Sequence, residues 1–373
     1  MKIAITGHNG FIGRHLVNSL IYKSNFNKED VSLIDKEDFQ NLIHLKHKLL
    51  DCQTVIHLAG VNRHEDSVYI FEENIRLTKL LIENISKKTK TIIFSSSTQQ
   101  KLKNPFGEAK LKCSKLFRKW AITNNKNYIN LKIPNIFGPF GKPNYNSFVS
   151  TFCDNLIYNK KVIINGSSKI NLLYIDDLIE TITLHLKKTI NNISEISKFD
   201  GITSTSVADV FDILKNQWDF YHSNNIIPNI STKFELNLFN TLRSFIAHDN
   251  FFPKKLVKHT DERGFFSEII KTEGKGQFSI STTISGITRG NHFHTRKIER
   301  FIVTQGKALV ELRKIDSNEK ISFILEGARL NFIDIPIWYT HNIKNIGTET
   351  LITLFWINEP YDPKNSDTYF IKV

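Results

Sequence analysis

The chain has 373 residues, 43.2 kDa, with 40% apolar and 23% charged residues, a balance that excludes global disorder and makes two domains the first expectation. Lys and Arg number 50 against 37 Asp and Glu, a net charge of +13, which admits nucleic acid, an anionic membrane or phosphorylated small molecules, or a Lys- and Asn-rich surface without function. Three isolated cysteines (Cys52, Cys113, Cys153) without paired spacing argue against a disulfide framework and suit a reducing cytoplasm.

Up to about Lys188, short β-rich runs alternate with helical stretches. Strands are predicted over residues 2–5, 31–34, 55–58, 91–95 and 128–133, and helices over 12–22, 71–85 and 110–123. That alternation implies an α/β, doubly wound parallel sheet of the Rossmann type. From about Gly264 the texture changes to short alternating runs (277–284, 300–304, 307–313, 322–324, 351–356) separated by Gly, Asn and Asp, which reads as an all-β sandwich or barrel. The stretch 244–255 is the expected junction, dividing the chain into 1–247 and 248–373. No window reaches the ~18 apolar residues of a membrane span, and the first residues lack the apolar stretch of a signal peptide.

Gly7-His8-Asn9-Gly10-Phe11-Ile12-Gly13 falls between the first strand and the first helix. There the glycines allow a tight turn and close approach of a pyrophosphate, and the helix start offers unpaired N–H groups and a positive dipole end. The plain alternative is a turn that only packs strand against helix. At the end of the second strand, Asp35 suits a ribose 2′-OH and Lys36 a 2′-phosphate, so NAD(H) and NADP(H) both stand. Leu58, Ala59 and Gly60 follow the third strand and complete the expected cofactor loop.

These residues, with Asn74, Phe94-Ser-Ser-Ser97, Pro134-Asn135 and Tyr174-Ile-Asp-Asp177, resemble an extended short-chain dehydrogenase/reductase acting on nucleotide sugars. The resemblance implies Ser97 and Lys110 as catalytic groups, Lys110 also holding the nicotinamide ribose, and Asn135 as a substrate contact. It also implies a Tyr at position 106, where this chain has Phe106 in Asn104-Pro-Phe-Gly-Glu-Ala-Lys110. A phenol there would exchange a proton with the reacting carbonyl oxygen, its pKa of about 10 lowered by the Lys. Three accounts compete: an introduced change, a natural one in a domain kept for binding, or a different proton donor.

Further on, His292-Phe-His294, Glu299 and the distant His341 stand at a spacing suited to one divalent metal. Two histidines two apart on a strand face the same way, and three nitrogens with one oxygen suit Zn²⁺ or another borderline divalent ion. The spacing is similar to the two cupin motifs, HxHx₄Ex₆G and PxGx₂Hx₃N, with Trp338 where the second has Gly. Upstream, Asp261-Glu-Arg263-Gly-Phe-Phe resembles the opening of cupins that epimerise keto-sugar nucleotides. Arg263 and Arg289 are then candidate substrate contacts and Lys271 a candidate base, with a structural Asp261–Arg263 hairpin pair as the alternative.

The whole chain closely resembles the bifunctional capsular-polysaccharide and O-antigen enzymes of the UDP-N-acetyl-L-fucosamine pathway. That resemblance implies a homodimer. Its cupin epimerises C3 of a UDP-4-keto-6-deoxy-hexosamine, and its reductase half reduces C4 with NADPH to a UDP-6-deoxy-talosamine derivative. Epimerisation alone, or a non-catalytic sugar-nucleotide-binding protein with a vestigial reductase domain, are the rivals. The small-molecule UDP-sugar accounts for local basic residues. No recognition motif or clustered basic helix points to nucleic acid.

Overall fold

The computed structural model describes residues 1–24, 26–164, 169–187, 193–257, 259–261, 264–266, 269–272, 276–359 and 362–373, the backbone alone at 187, 259–261, 264–266 and 271. Two compact units form. The first comprises Met1–Phe137, Asn144–Ser147 and Ser168–Ser206, and the second Gly138–Pro143, Phe148–Ser167 and Val207–Val373.

In chain order, the first unit contains β1 (Ile3–Thr6), α1 (Phe11–Tyr22), β2 (Val31–Ile34), α2 (Leu42–Leu49), β3 (Thr54–His57), α3 (Ser67–Asn84), β4 (Thr91–Ser97), α4 (Pro105–Asn124), β5 (Asn127–Ile133) and β6 (Asn135–Phe137). After α5 (Phe148–Ile157), which belongs to the second unit, come β7 (Lys169–Tyr174), α6 (Ile175–Lys187), β8 (Ile193–Ile196) and β9 (Thr203–Ser206). A parallel sheet runs β2-β1-β3-β4-β5-β8, and β6-β7-β9 form a smaller sheet. This is the Rossmann fold of an extended short-chain dehydrogenase/reductase. Strand β1, Ile-Ala-Ile-Thr, is buried throughout, as a strand covered on both faces must be. Helix α4 starts at Pro105, earlier than predicted, because the Asn104 side chain accepts from Gly107 N at 2.7 Å and Pro suits the first helical position. Phe106 is therefore helical.

The second unit continues with α7 (Val207–Trp218), a π-helical turn (Asp219–Ser223), β10 (Ile226–Ile227), α8 (Lys233–Arg243), α9 (His248–Phe251), β11 (Lys254–Lys255), β12 (His259–Asp261), β13 (Gly264–Phe266) and β14 (Lys271–Thr272). The barrel strands are β15 (Gln277–Thr283), β16 (Thr288–Phe293), β17 (Glu299–Gln305), β18 (Lys307–Lys314), β19 (Lys320–Glu326), β20 (Asn331–Ile335), β21 (Tyr339–Asn345), β22 (Leu351–Ile357) and β23 (Tyr369–Phe370). They form two antiparallel sheets, β11-β20-β17-β22-β15 and β19-β18-β21-β16-β23, the jelly roll of a cupin. Helices and barrel share one core within this unit. Arg300 on β17 grips Asp334 on β20 through two bonds (2.7 and 2.9 Å), Tyr221 donates to the same carboxylate, and Arg243 reaches the Ile335 carbonyl at 2.7 Å. Burial opposes the charge on Asp334, but Arg300 outweighs it and holds its pKa below the usual carboxylate range. Removing one partner of such a buried pair typically costs about 3–5 kcal/mol.

Cys52, Cys113 and Cys153 are unpaired and buried, and burial raises all three thiol pKa values, the behaviour of packed apolar groups. Among the described residues no helix is long and apolar enough to cross a membrane.

Candidate functional site

In the Rossmann unit, the carboxyl ends of β1 and β3 meet. Gly7 has φ +70°, and a Cβ on it would stand 2.6 Å from Ala59 N; a Cβ on Gly13 would stand 2.3 Å from the Gly7 carbonyl. Only glycine fits either place, so the loop is drawn tight under the helix start. Gly10 N donates to the Gly7 carbonyl (3.0 Å), and Gly10, as N-cap, puts no side chain over the first turn. The first-turn N–H groups, at Phe11 and Ile12 among others, thus suit a pyrophosphate. Thr6 Oγ1 accepts from Ala59 N (3.1 Å) and contacts His57 Nδ1 (2.8 Å), fixing the Leu58–Ala59–Gly60 loop from below. Burial, then the Lys110 charge, lowers the His57 pKa to about 3.

Asp35 lies at the end of β2, beside the glycine loop. Its Oδ1 accepts from Asn9 Nδ2 (2.9 Å) and lies 3.3 Å from His8 Nε2, while Lys36 is exposed. Lys110 on α4 is buried, donates to the Ser95 carbonyl at 2.8 Å, and sits 4.9 Å above the Phe94 ring and 5.6 Å from the centre of Phe106. Burial lowers its pKa to about 8. Gly60 packs against both Lys110 Nζ and the Asn74 carboxamide, and Asn74 donates to the Val61 and Ile70 carbonyls (2.9 and 2.6 Å). Ser97, at the end of β4, accepts from Gln99 N (3.1 Å) and caps the short helix Thr98–Lys101. Asn135 is exposed on β6. Lys110, Phe106 and Gly60 are thus brought together. His8 and Thr6 also belong to this site, and in the sequence only their places beside Asn9 and at the end of a buried strand signal it.

In the barrel, His292 and His341 pair across β16 and β21, His294 lies one residue past β16, and Glu299 opens β17 in the facing sheet. Their ligand atoms all lie within 4.8 Å of one another. Glu299 Oε2 is 3.1 Å from His294 Nε2 and 3.3 Å from His341 Nε2, and the latter nitrogen is buried without a hydrogen-bond partner among the described residues. His294 Nδ1 contacts the Asp367 carbonyl at 2.6 Å, which fixes its proton on Nδ1 and aims the Nε2 lone pair into the cluster. Burial opposes the charge on Glu299, yet the neighbouring His294 and His341 imidazoles prevail and hold it ionised well below the usual range. Burial, then the like charges of His341 and His294, drives the His292 pKa down to about 3, leaving its imidazole neutral and able to ligate. Three imidazoles and one carboxylate around an orphaned buried nitrogen fit a divalent cation of the Zn²⁺ class.

Trp338 adopts φ +61°, a left-handed conformation that explains why a glycine suits this motif position. Its indole stacks on Phe293 (centroids 5.4 Å apart), and its backbone N–H donates to the His294 carbonyl at 2.8 Å. Arg289 is exposed and anchored to β15 through Thr283 Oγ1 (3.1 Å) and the Thr282 carbonyl (3.0 Å). Lys271 is placed on β14, but its side chain, like Arg263, lies outside the described residues.

Residues 3–196 match the NAD dependent epimerase/dehydratase family, and residues 259–369 match the polysaccharide biosynthesis C-terminal domain. The chain is 30% identical to the UDP-2-acetamido-2,6-beta-L-arabino-hexul-4-ose reductase of Pseudomonas aeruginosa, over 100% of this chain and 99% of that one. It is similar to the crystal structure of the capsular polysaccharide assembling protein CapF of Staphylococcus aureus, with 31% identity and a TM-score of 0.60 over the whole of both chains. The UDP-glucose 4-epimerase of Thermotoga maritima, at 22% identity and a TM-score of 0.53, covers 66% of this chain and 98% of its own, and shares the fold alone.

Proposed function

The chain belongs to the NAD dependent epimerase/dehydratase family, and on that premise we propose that it is a bifunctional nucleotide-sugar enzyme serving capsular-polysaccharide or O-antigen synthesis. Residues 248–373 epimerise C3 of a UDP-4-keto-6-deoxy-hexosamine. Residues 1–247 reduce the C4 ketone with a nicotinamide cofactor, toward a UDP-2-acetamido-2,6-dideoxy-L-talose-type product. What carries this reading is the pairing, on one chain similar along its length to a UDP-sugar reductase, of a glycine cradle beside Lys110 with a buried three-histidine, one-glutamate cluster.

The chemistry follows from the residues. A C3 proton beside a C4 ketone is acidified when the charge growing on the ketone oxygen is stabilised. A divalent ion held by His292, His294, Glu299 and His341 would supply Lewis acidity for that purpose. Lys271 is the proposed base, with Arg263 and Arg289 as substrate contacts; the Arg289 bonds to Thr283 and the Thr282 carbonyl use Nε and one Nη, which favours its other Nη for an anion. In the reductase half, the glycine loop and α1 hold the pyrophosphate, and Lys110 and Ser97 face the reacting end. Asp35 supports NAD(H) over NADP(H): its two neighbours share Oδ1, leaving Oδ2 for a ribose hydroxyl, and its charge repels a 2′-phosphate. Asn135 is retained as a substrate contact.

Phe106 offers the ketone oxygen no phenolic proton, and it favours a narrower second reading in which epimerisation proceeds and reduction is slow. Both steps use soluble nucleotides, which supports a cytoplasmic site of action. Phe278 (53% exposed) and Ile280 (65%) lie on edge strand β15, and this exposed apolar edge supports association with a second copy. The test is incubation with UDP-4-keto-6-deoxy-hexosamine in D₂O, following C3 by NMR. Deuterium at C3 is expected; its absence removes the epimerase and leaves a binding protein.

A further inference from the structure

The last residues of the chain do more than complete a sheet. Asp367 has a fully buried carboxylate, and it is taken up entirely by the loop joining two of the four candidate ligands. Thr295 N donates to it at 3.1 Å, Thr295 Oγ1 at 2.7 Å, Arg296 N at 2.9 Å and Lys297 N at 3.1 Å. Three successive backbone N–H groups around one carboxylate make an anion nest, here closed by a side chain from 70 positions away. The same residue's carbonyl accepts from His294 Nδ1 at 2.6 Å.

The neighbouring residues repeat the pattern. Phe370 and Tyr369 pair with His292 and Phe293, Ile371 N donates to the Asn291 carbonyl at 2.9 Å, and Thr340, next to His341, donates to the Ile371 carbonyl. Lys297 Nζ donates to the Ser366 carbonyl at 2.5 Å, and Arg296 spans Glu359 and Asn365. Segment 366–371 therefore touches the backbone beside His292, His294 and His341 and the connector leading to Glu299.

We propose that Asp367 is the positioning residue of the metal centre: its carboxylate sets the His294–Glu299 connector and its carbonyl sets the tautomer and direction of His294. The inference rests on the metal reading above. It predicts that the site is built only when the C-terminal segment is docked, since neither β16 nor β17 alone fixes the angle between their ligands. Outer partners of metal-bound histidines typically change affinity by about 10–100-fold when removed.

The test is a competition titration of Zn²⁺ against a chromophoric chelator on the full chain, with the Co²⁺ absorption spectrum as a second readout. Asp367→Ala and Asp367→Asn are expected to weaken Zn²⁺ about 10–100-fold and to alter the Co²⁺ spectrum. Thr295→Val, which removes one donor to the carboxylate, is expected to show the same change to a smaller degree. Asp362→Ala, an exposed cap just ahead of that segment that accepts from Lys364 N, should stay within about twofold. Folded Asp367→Ala with wild-type affinity and spectrum overturns the proposal; if that variant does not fold, an unchanged Thr295→Val overturns it. A wild-type chain that binds no Zn²⁺ or Co²⁺ instead refutes the metal centre itself, and this inference with it.

Discussion

Phe106→Tyr restores a phenol near the buried ammonium of Lys110, whose Nζ lies 5.6 Å from the Phe106 ring centre and is tethered to the Ser95 carbonyl. At about 5 Å and an effective dielectric near 20, an ammonium stabilises a phenolate by roughly 3 kcal/mol. That is enough to bring a phenol from about 10 toward 8, a range in which it can give a proton to the ketone oxygen. A positioned general acid contributes about 10²–10⁴ in rate, or roughly 3–5 kcal/mol of barrier. The assay is oxidation of the reduced nicotinamide in the presence of UDP-4-keto-6-deoxy-hexosamine, comparing Phe106→Tyr with the parent chain. C3 deuterium exchange is measured alongside, because the His292–His294–Glu299–His341 cluster proposed for epimerisation lies in the other compact unit and its rate should not change. Expected is a gain of at least 10²-fold in reduction with exchange unaltered. Parent turnover near an ordinary 10 s⁻¹, with no gain in the variant, would refute the argument and show that another group supplies the proton.

Four further outcomes are expected. Asp35→Ala should weaken NADH by about 10–100-fold, the worth of a hydrogen bond to a charged group, while NADPH binding holds or improves; parent protein that prefers NADPH by calorimetry contradicts the assignment. Trp338→Gly should destabilise by about 2–4 kcal/mol in denaturant unfolding, since losing a buried indole costs about 3–5 kcal/mol and relief of the left-handed backbone returns about 1 kcal/mol; a stabilised variant would mean that strain outweighs the Phe293 stack. Lys110 is buried with a pKa of about 8 against 10.5 in the unfolded chain, so the folded state penalises its charge fully below pH 8 and sheds that penalty as pH rises to 10.5. The stability of the parent relative to Lys110→Met should therefore rise across this window by up to about 3 kcal/mol, and a flat difference would show the ammonium is well solvated. Phe278→Asp on β15 should lower the mass seen by light scattering to that of one chain; an unchanged assembly, or a parent that is already monomeric, excludes this edge as the contact.

Local pattern carried most of the first unit. Residues 31–34 form β2 as expected, and strands β1, β3, β4 and β5 lie within a residue or two of the predicted runs. Each is a short apolar segment bounded by polar turns. Helix α2 (Leu42–Leu49) was missed, because eight residues with two buried leucines give too little periodicity, and the signal resides in the Asn41 cap. Helix α4 began five residues before its predicted start, because its first turn is specified by Asn104 and Pro105 rather than by apolar spacing. In the barrel, the alternation of His292 and His294 already placed both on one side, and Glu299 opens its strand as expected.

The sequence alone determined the main strands of the first unit and the identities of the chemical groups, since periodicity, glycine spacing and ligand spacing are local properties. Only the tertiary structure decided what those groups face. It put Asn9 against Asp35, buried Lys110 beside Phe106, closed four candidate ligands to within 4.8 Å, and brought Asp367 onto the loop behind His294. It also put helices α5, α7 and α8 in one compact unit with the barrel, α8 reaching the Ile335 carbonyl through Arg243. These contacts link residues far apart in the chain, and their partners are selected by burial and by the need to satisfy every buried polar group, conditions that no short window of sequence contains.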